Sequence, residues 1–68
     1  MLKISLAAAR VNRGFTQREV AEKLGISTKT LVNWENGITF PTIERVYELC
    51  ELYCVSVDNL IFLPEDNA

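Results

Sequence analysis

The sequence predicts an all-α domain of five short helices, and three features predict it. Hydroxyl residues stand where helices open, at Thr16, Ser27, Thr42 and Ser56, and glycines where they close, at Gly14, Gly25 and Gly37. Between these marks apolar residues recur at helical spacing: Ile43, Val46, Leu49, Cys50 and Tyr53 stand at i, i+3, i+6, i+7 and i+10. The composition, 49% hydrophobic and 24% charged over 68 residues, is that of one small globular domain without repeats.

Each element follows from its own residues. Residues 3–13, rich in Ala and Leu, predict a first helix that Gly14 closes. Thr16-Gln17-Arg18-Glu19 is a capping box, each end side chain taking the other's backbone amide, and it opens a second helix over 16–24. Val20, Ala21 and Leu24 share one face of that helix, and Gly25 ends it in a left-handed conformation. Ser27 caps a third helix to about Asn36, with Gly37 as its stop. Two helices about a glycine bend make a helix-turn-helix, the geometry of many DNA readers. Ile38 to Pro41 is a loop, Thr42 opens a fourth helix to about Tyr53, and Ser56 a short fifth one ending near Phe62. No strand is expected. The domain is residues 1–62; 63–68 is a short tail, polar after Pro64. Leu6, Ala9, Phe15, Val20, Ala21, Leu24, Ile26, Leu31, Val55 and Leu60 join the fourth-helix stripe, Ile43 included, in the expected core.

Several function classes are disfavoured. No apolar run approaches the roughly 18 residues of a membrane span, and the N-terminus lacks a signal-peptide pattern, so a cytoplasmic chain without a membrane partner is expected. Cys50 and Cys54 lie four apart on one helix, outside disulfide geometry, and read as free thiols. With no His and two Cys, a four-ligand zinc site is not expected, and no motif calls for a cofactor. No general base of the usual kind, nucleophile elbow or phosphate loop is present, so catalysis is not expected.

The net charge of −2 is unlike most nucleic-acid modules, yet it conceals a division. Residues 1–34 hold six basic residues against two acidic, a net of +4, and residues 35–68 hold Arg45 against seven acidic, a net of −6. Either ordinary solvated faces or a polyanion-facing half backed by an acidic half gives this pattern.

At Thr16-Gln17, Val20-Ala21, Gly25-Ile26-Ser27, Trp34-Glu35-Asn36-Gly37, Pro41 and Val55-Ser56-Val57-Asp58-Asn59-Leu60, the sequence resembles the phage repressor and Cro-like (Xre-type) helix-turn-helix family. The resemblance covers about residues 6–62 and is carried by the combination, order and spacing of elements that are individually weak. It implies a compact five-helix, lambda-repressor-like domain that binds double-stranded DNA, usually as a homodimer on an operator, in transcription control.

At 3.6 residues per turn, Thr28, Lys29, Val32, Asn33 and Asn36 fall on one side of the third helix, and none is acidic. Base contact is expected of four. Lys29 suits guanine O6 and N7, Asn33 suits adenine, Thr28 a base or phosphate, and Val32 a thymine methyl. Gln17 stands at the positive end of the second helix, where the family's matching Gln grips phosphate. Ser27, Asn36, Gly37 and Arg10 complete the expected phosphate contacts. The family also pairs an Arg of helix one with the Glu of its Glu-x-Gly motif, which implies an ion pair between Arg10 and Glu35. Trp34 is read as packing.

Two departures stand out. The loop Ile38-Thr39-Phe40 lacks the Lys or Arg many relatives place there, and Phe40 is read as loop packing. Cys54 replaces the Gly or Asn usual at a site of positive φ. The consecutive apolar residues Leu60, Ile61, Phe62 and Leu63 form either a dimer interface or a C-terminal plug on the monomer's own core. The sequence thus predicts a DNA-binding regulator, more a repressor than an activator. The alternative is a protein-interaction module of the same fold, such as an antitoxin or partner-regulator binder, docking through the acidic fourth and fifth helices.

Overall fold

Four hydroxyl caps start four α-helices in the computed structural model, which describes residues 3–62. They are α1 (Leu6–Asn12), α2 (Gln17–Leu24), α3 (Thr28–Glu35) and α4 (Ile43–Tyr53), capped by Ser5, Thr16, Ser27 and Thr42. Each cap hydroxyl accepts from the amide three residues on, and the Thr16–Glu19 box is closed in both directions.

All four helices also stop in the same way. The amides of Phe15, Ile26, Ile38 and Val55 reach back to the carbonyls of Arg10, Ala21, Asn33 and Cys50 at 2.9–3.2 Å. The reversal needs a pivot of positive φ, which glycine supplies at positions 14, 25 and 37. At the fourth, Cys54 holds φ 58°, the sole non-glycine among the described residues to do so.

Two expectations are corrected here. The first helix starts at Leu6, because Ile4–Ser5 is extended and forms β1. The fifth helix does not form. Ser56 caps a single 3-10 turn, Val57–Asn59, and the chain then extends as β2 (Leu60–Ile61), parallel to β1 with Ile4 opposite Leu60 and Ser5 opposite Ile61. The segment Val55–Phe62 is rich in β-branched and apolar residues, and pairing gives both extended ends hydrogen-bond partners that a one-turn helix would leave to solvent. The Lys3 ammonium reinforces the closure by donating to the Asp58 carbonyl at 3.0 Å.

The core is Leu6 and Ala9 of α1, Val20 and Ala21 of α2, Leu31 and Trp34 of α3, the Val46–Leu49–Cys50–Tyr53 stripe of α4, and Leu60. Phe15, Leu24, Ile26 and Val55, expected in the core, pack against its edge. Ile43 departs from expectation: as the first residue of α4 it lies at the rim of the stripe and is 60% exposed. Arg45, on the other flank of α4, donates to the Leu24 carbonyl at 2.8 Å and so ties α4 to the end of α2. Among the described residues no helix is long and apolar enough to cross a membrane.

Candidate nucleic-acid interface

The bend between α2 and α3 sets the site. Gly25 turns the chain at φ +70°, and a Cβ built there would meet nothing within 4 Å, so the position demands glycine for its backbone angle and not for room. Ser27 starts α3 two residues later, its Oγ accepting from the Thr30 amide and lying 2.9 Å from the Thr30 hydroxyl. α3 presses Leu31, Trp34 and Glu35 inward, leaving the opposite flank to solvent.

On that flank Thr28 and Lys29 are exposed, and Val32 and Asn33 are half-buried, accessible at the edge of the helix. Lys29 has no ion-pair partner among the described residues. Ser27 and Asn36 are exposed at the two ends of α3. Gly37 is buried, with its amide bonded to the Trp34 carbonyl at 3.2 Å, so the phosphate contact expected of that amide would have to displace an existing bond.

Beneath α3 lies a polar cluster that three helices share. Arg10 of α1 grips the Glu35 carboxylate bidentately, Nε to Oε2 at 2.7 Å and Nη2 to Oε1 at 3.3 Å, while its Nη1 donates to the Phe15 carbonyl at 2.9 Å. With three nitrogens engaged and a side chain only 14% exposed, Arg10 is committed inside the domain. The phosphate contact also expected of it is withdrawn. Gln17 of α2 donates from Nε2 to Glu35 Oε1 at 3.0 Å. A primary amide nitrogen carries two protons, so one remains for another acceptor. Nothing in the sequence marks this contact, because two side chains 18 positions apart on successive helices leave no sign of adjacency in one sequence.

Tyr53 of α4 is buried near enough to feel the charges of both Glu35 and Arg10. Burial, reinforced by the Glu35 charge and partly opposed by Arg10, pushes its phenol up to about 12. Its hydroxyl has no hydrogen-bond partner among the described residues. Burial also raises the neighbouring Cys50 thiol.

Of the C-terminal dimer candidates, Leu60 is corrected: it is 8% exposed and belongs to the monomer's own core. Ile61 is 40% exposed. Phe62 is half-buried, edge-on to Phe40 with ring centroids 6.4 Å apart. Leu63 lies outside the described residues.

A family model described as "Helix-turn-helix" matches residues 6–60, spanning all four helices and the 3-10 turn. The chain belongs to the phage repressor and Cro-like helix-turn-helix family. Within that family it is similar to the HTH-type transcriptional regulator ImmR of Bacillus subtilis (strain 168), at 41% identity over 82% of this chain and 44% of ImmR. It is 31% identical, over 98% of this chain and 60% of the relative, to the cryptic phage CTXphi transcriptional repressor RstR of Vibrio cholerae. The helix-turn-helix chain thus spans about half the length of these two relatives. An uncharacterized HTH-type transcriptional regulator of Methanocaldococcus jannaschii, MJ0272, is 29% identical over 97% of this chain and 98% of its own length. No solved structure matches it significantly.

Proposed function

We propose that this helix-turn-helix chain is a sequence-specific double-stranded-DNA-binding transcriptional regulator that inserts α3 in the major groove and acts as a homodimer on a palindromic operator. Thr28, Lys29, Val32 and Asn33 read base edges; Gln17, Ser27 and Asn36 hold backbone phosphate, and the Gly37 amide, bonded to the Trp34 carbonyl, is left out of that set. Repression follows from occupancy, the bound dimer blocking polymerase, in keeping with the relative named as a phage repressor. The observation that carries the reading is the acid-free outer flank of α3, mounted on a glycine bend and backed by the Arg10–Glu35 pair.

Selection from random duplexes, followed by titration of the enriched sequence in rising salt, tests it. A palindromic site should emerge, and log K should fall by about 0.9 per phosphate neutralised for each tenfold rise in salt. No enriched sequence, or binding indifferent to salt, defeats the reading. That outcome would turn attention to the protein-binding alternative, which the exposure of Glu44, Glu48 and Glu51 along one side of α4 favours.

A further inference from the structure

We infer that an open cleft where the C-terminal ends of α1, α2 and α4 converge is a binding site for a short linear peptide, two or three residues long, with an apolar side chain and both termini free. The cleft encloses about 500 Å³, within the roughly 300–1,000 Å³ common to small-ligand sites. Arg13 follows the last residue of α1, Lys23 and Leu24 end α2, and Glu48, Glu51 and Leu52 stand on the last turns of α4. No lining residue belongs to α3, so the inference stands apart from the regulator reading.

The chemistry of the lining selects the ligand. Phe15, Leu24 and Leu52, all half-buried, supply apolar surface. Arg13 and Lys23 make the α1–α2 side basic, and Glu48 and Glu51, one turn apart, make the α4 side acidic. These opposite charges do not bridge the cleft. The Lys23 ammonium lies over the Phe15 ring, 5.5 Å from its centroid, and Glu48 is held by Arg45 of its own helix at 2.8 Å. Neither Arg13 nor Glu51 has an ion-pair partner among the described residues. Separate cationic and anionic sides are complementary to a zwitterion, its carboxylate toward Arg13 and Lys23 and its ammonium toward Glu51. Size sets the distance between its charges. A volume of about 500 Å³ is about 8 Å across, and the ends of a di- or tripeptide stand about 7–10 Å apart at roughly 3.3–3.6 Å per residue. A single amino acid carries both charges on one carbon and reaches one side only. Charge pairs at so open a surface contribute selectivity more than affinity, so the apolar side chain supplies most of the binding.

Leucyl-leucine and trileucine are the probes, titrated into the isotope-labelled chain while its amide resonances are followed. The expected result is a Kd of about 0.1–1 mM, with the largest shifts at the residues that line the cleft. Diglycine, which has both charges and no side chain, and N-acetyl-leucyl-leucine amide, which has the side chains and neither charge, should each bind about tenfold or more weakly than leucyl-leucine. Arg13→Gln and Glu51→Gln are neutral changes at exposed positions, so the fold should survive them. Each should weaken leucyl-leucine about threefold or more and leave the blocked peptide unchanged, while Glu44→Gln, exposed on α4 outside the cleft, should match the parent. No shift at about 10 mM peptide, or diglycine bound as tightly as leucyl-leucine, overturns the proposal. So do parental affinities in both cleft variants. A blocked peptide bound as tightly as the free one also overturns it, and identifies a segment inside a partner protein as the occupant.

Discussion

Removing one partner of the Arg10–Glu35 pair should cost the domain more than removing both. Glu35 has a side chain only 4% exposed and receives three hydrogen bonds, two from Arg10 and one from Gln17. Arg10→Met leaves that carboxylate buried with Gln17 as its one remaining donor, and Glu35→Leu leaves a guanidinium 14% exposed with only the Phe15 carbonyl. Stranding either charge should cost about 3–5 kcal/mol. In the double variant no charge is stranded. What is lost is one donor to the Phe15 carbonyl and one acceptor for Gln17, about 1–2 kcal/mol at roughly 1 kcal/mol each. A domain of this length has only about 3–10 kcal/mol in hand, so each single variant should lose at least about 12 °C in midpoint temperature, and the double about half as much or less. Urea and thermal unfolding of the four chains, followed by far-ultraviolet circular dichroism, complete the cycle. Additive losses would refute the argument, as would a double variant less stable than either single one.

Other expectations follow from single sites. Lys29→Ala should cost about 1–3 kcal/mol on the selected operator and relax preference at one base position, whereas Gln17→Ala should weaken all duplexes alike and, Gln17 being uncharged, leave the salt slope unchanged; equal effects on every duplex would contradict the division of roles. Cys54→Gly should raise stability by about 0.5 kcal/mol, since relief of a left-handed penalty of about 1–2 kcal/mol exceeds the added flexibility of the unfolded chain, and a lower denaturation midpoint would show that φ 58° carries no strain. Because the folded phenol of Tyr53 titrates at about 12 against an ordinary 10, the native state holds that proton more tightly. Its contribution, about 2–3 kcal/mol, should be whole below pH 10 and be lost as pH rises toward 12. Tyr53→Phe should flatten that decline in pH-dependent unfolding, and a decline identical to the parent's would remove Tyr53 as its source.

The elements legible in the sequence are those governed by local chemistry. Thr16, Ser27 and Thr42 cap because their hydroxyls meet amides three residues away, and Gly14, Gly25 and Gly37 stop helices because positive φ excludes most other residues. The left-handed Cys54 is expected on a different ground, the resemblance to relatives that carry Gly or Asn before Val-Ser. Elements that depend on distant partners could not be read. Ser56 caps, as expected, but whether three or six residues follow in a helix depends on Ile4–Ser5, which lies 56 positions before Leu60–Ile61 and offers β2 a parallel neighbour. The same holds within the site. Helical spacing turned Thr28 and Lys29 outward, while the Gln17–Glu35 bond required knowing how α2 crosses α3.

That bond changes how the two ends of the proposed interface relate. Glu35 stands on the last turn of α3, seven residues beyond Thr28, so the base-facing end lies about 10 Å away along the axis at 1.5 Å per residue. A 10° swing of α3 about Glu35 would move that end by about 2 Å, about four times the roughly 0.5 Å breadth of the distance window within which a hydrogen bond to a base edge forms. The carboxylate that limits this swing, through Arg10 of α1, also holds the amide of Gln17, the proposed phosphate grip on α2. The proposed phosphate grip and the proposed base reading therefore share one anchor. The Arg10→Met/Glu35→Leu chain, folded but without it, should keep most of its affinity for unrelated duplex, which depends on charge, and lose preference for its operator by about tenfold or more. Competition between the two duplexes measures that ratio. A ratio equal to the parent's would mean that the apolar contacts of Leu31 and Trp34 alone hold α3 in register.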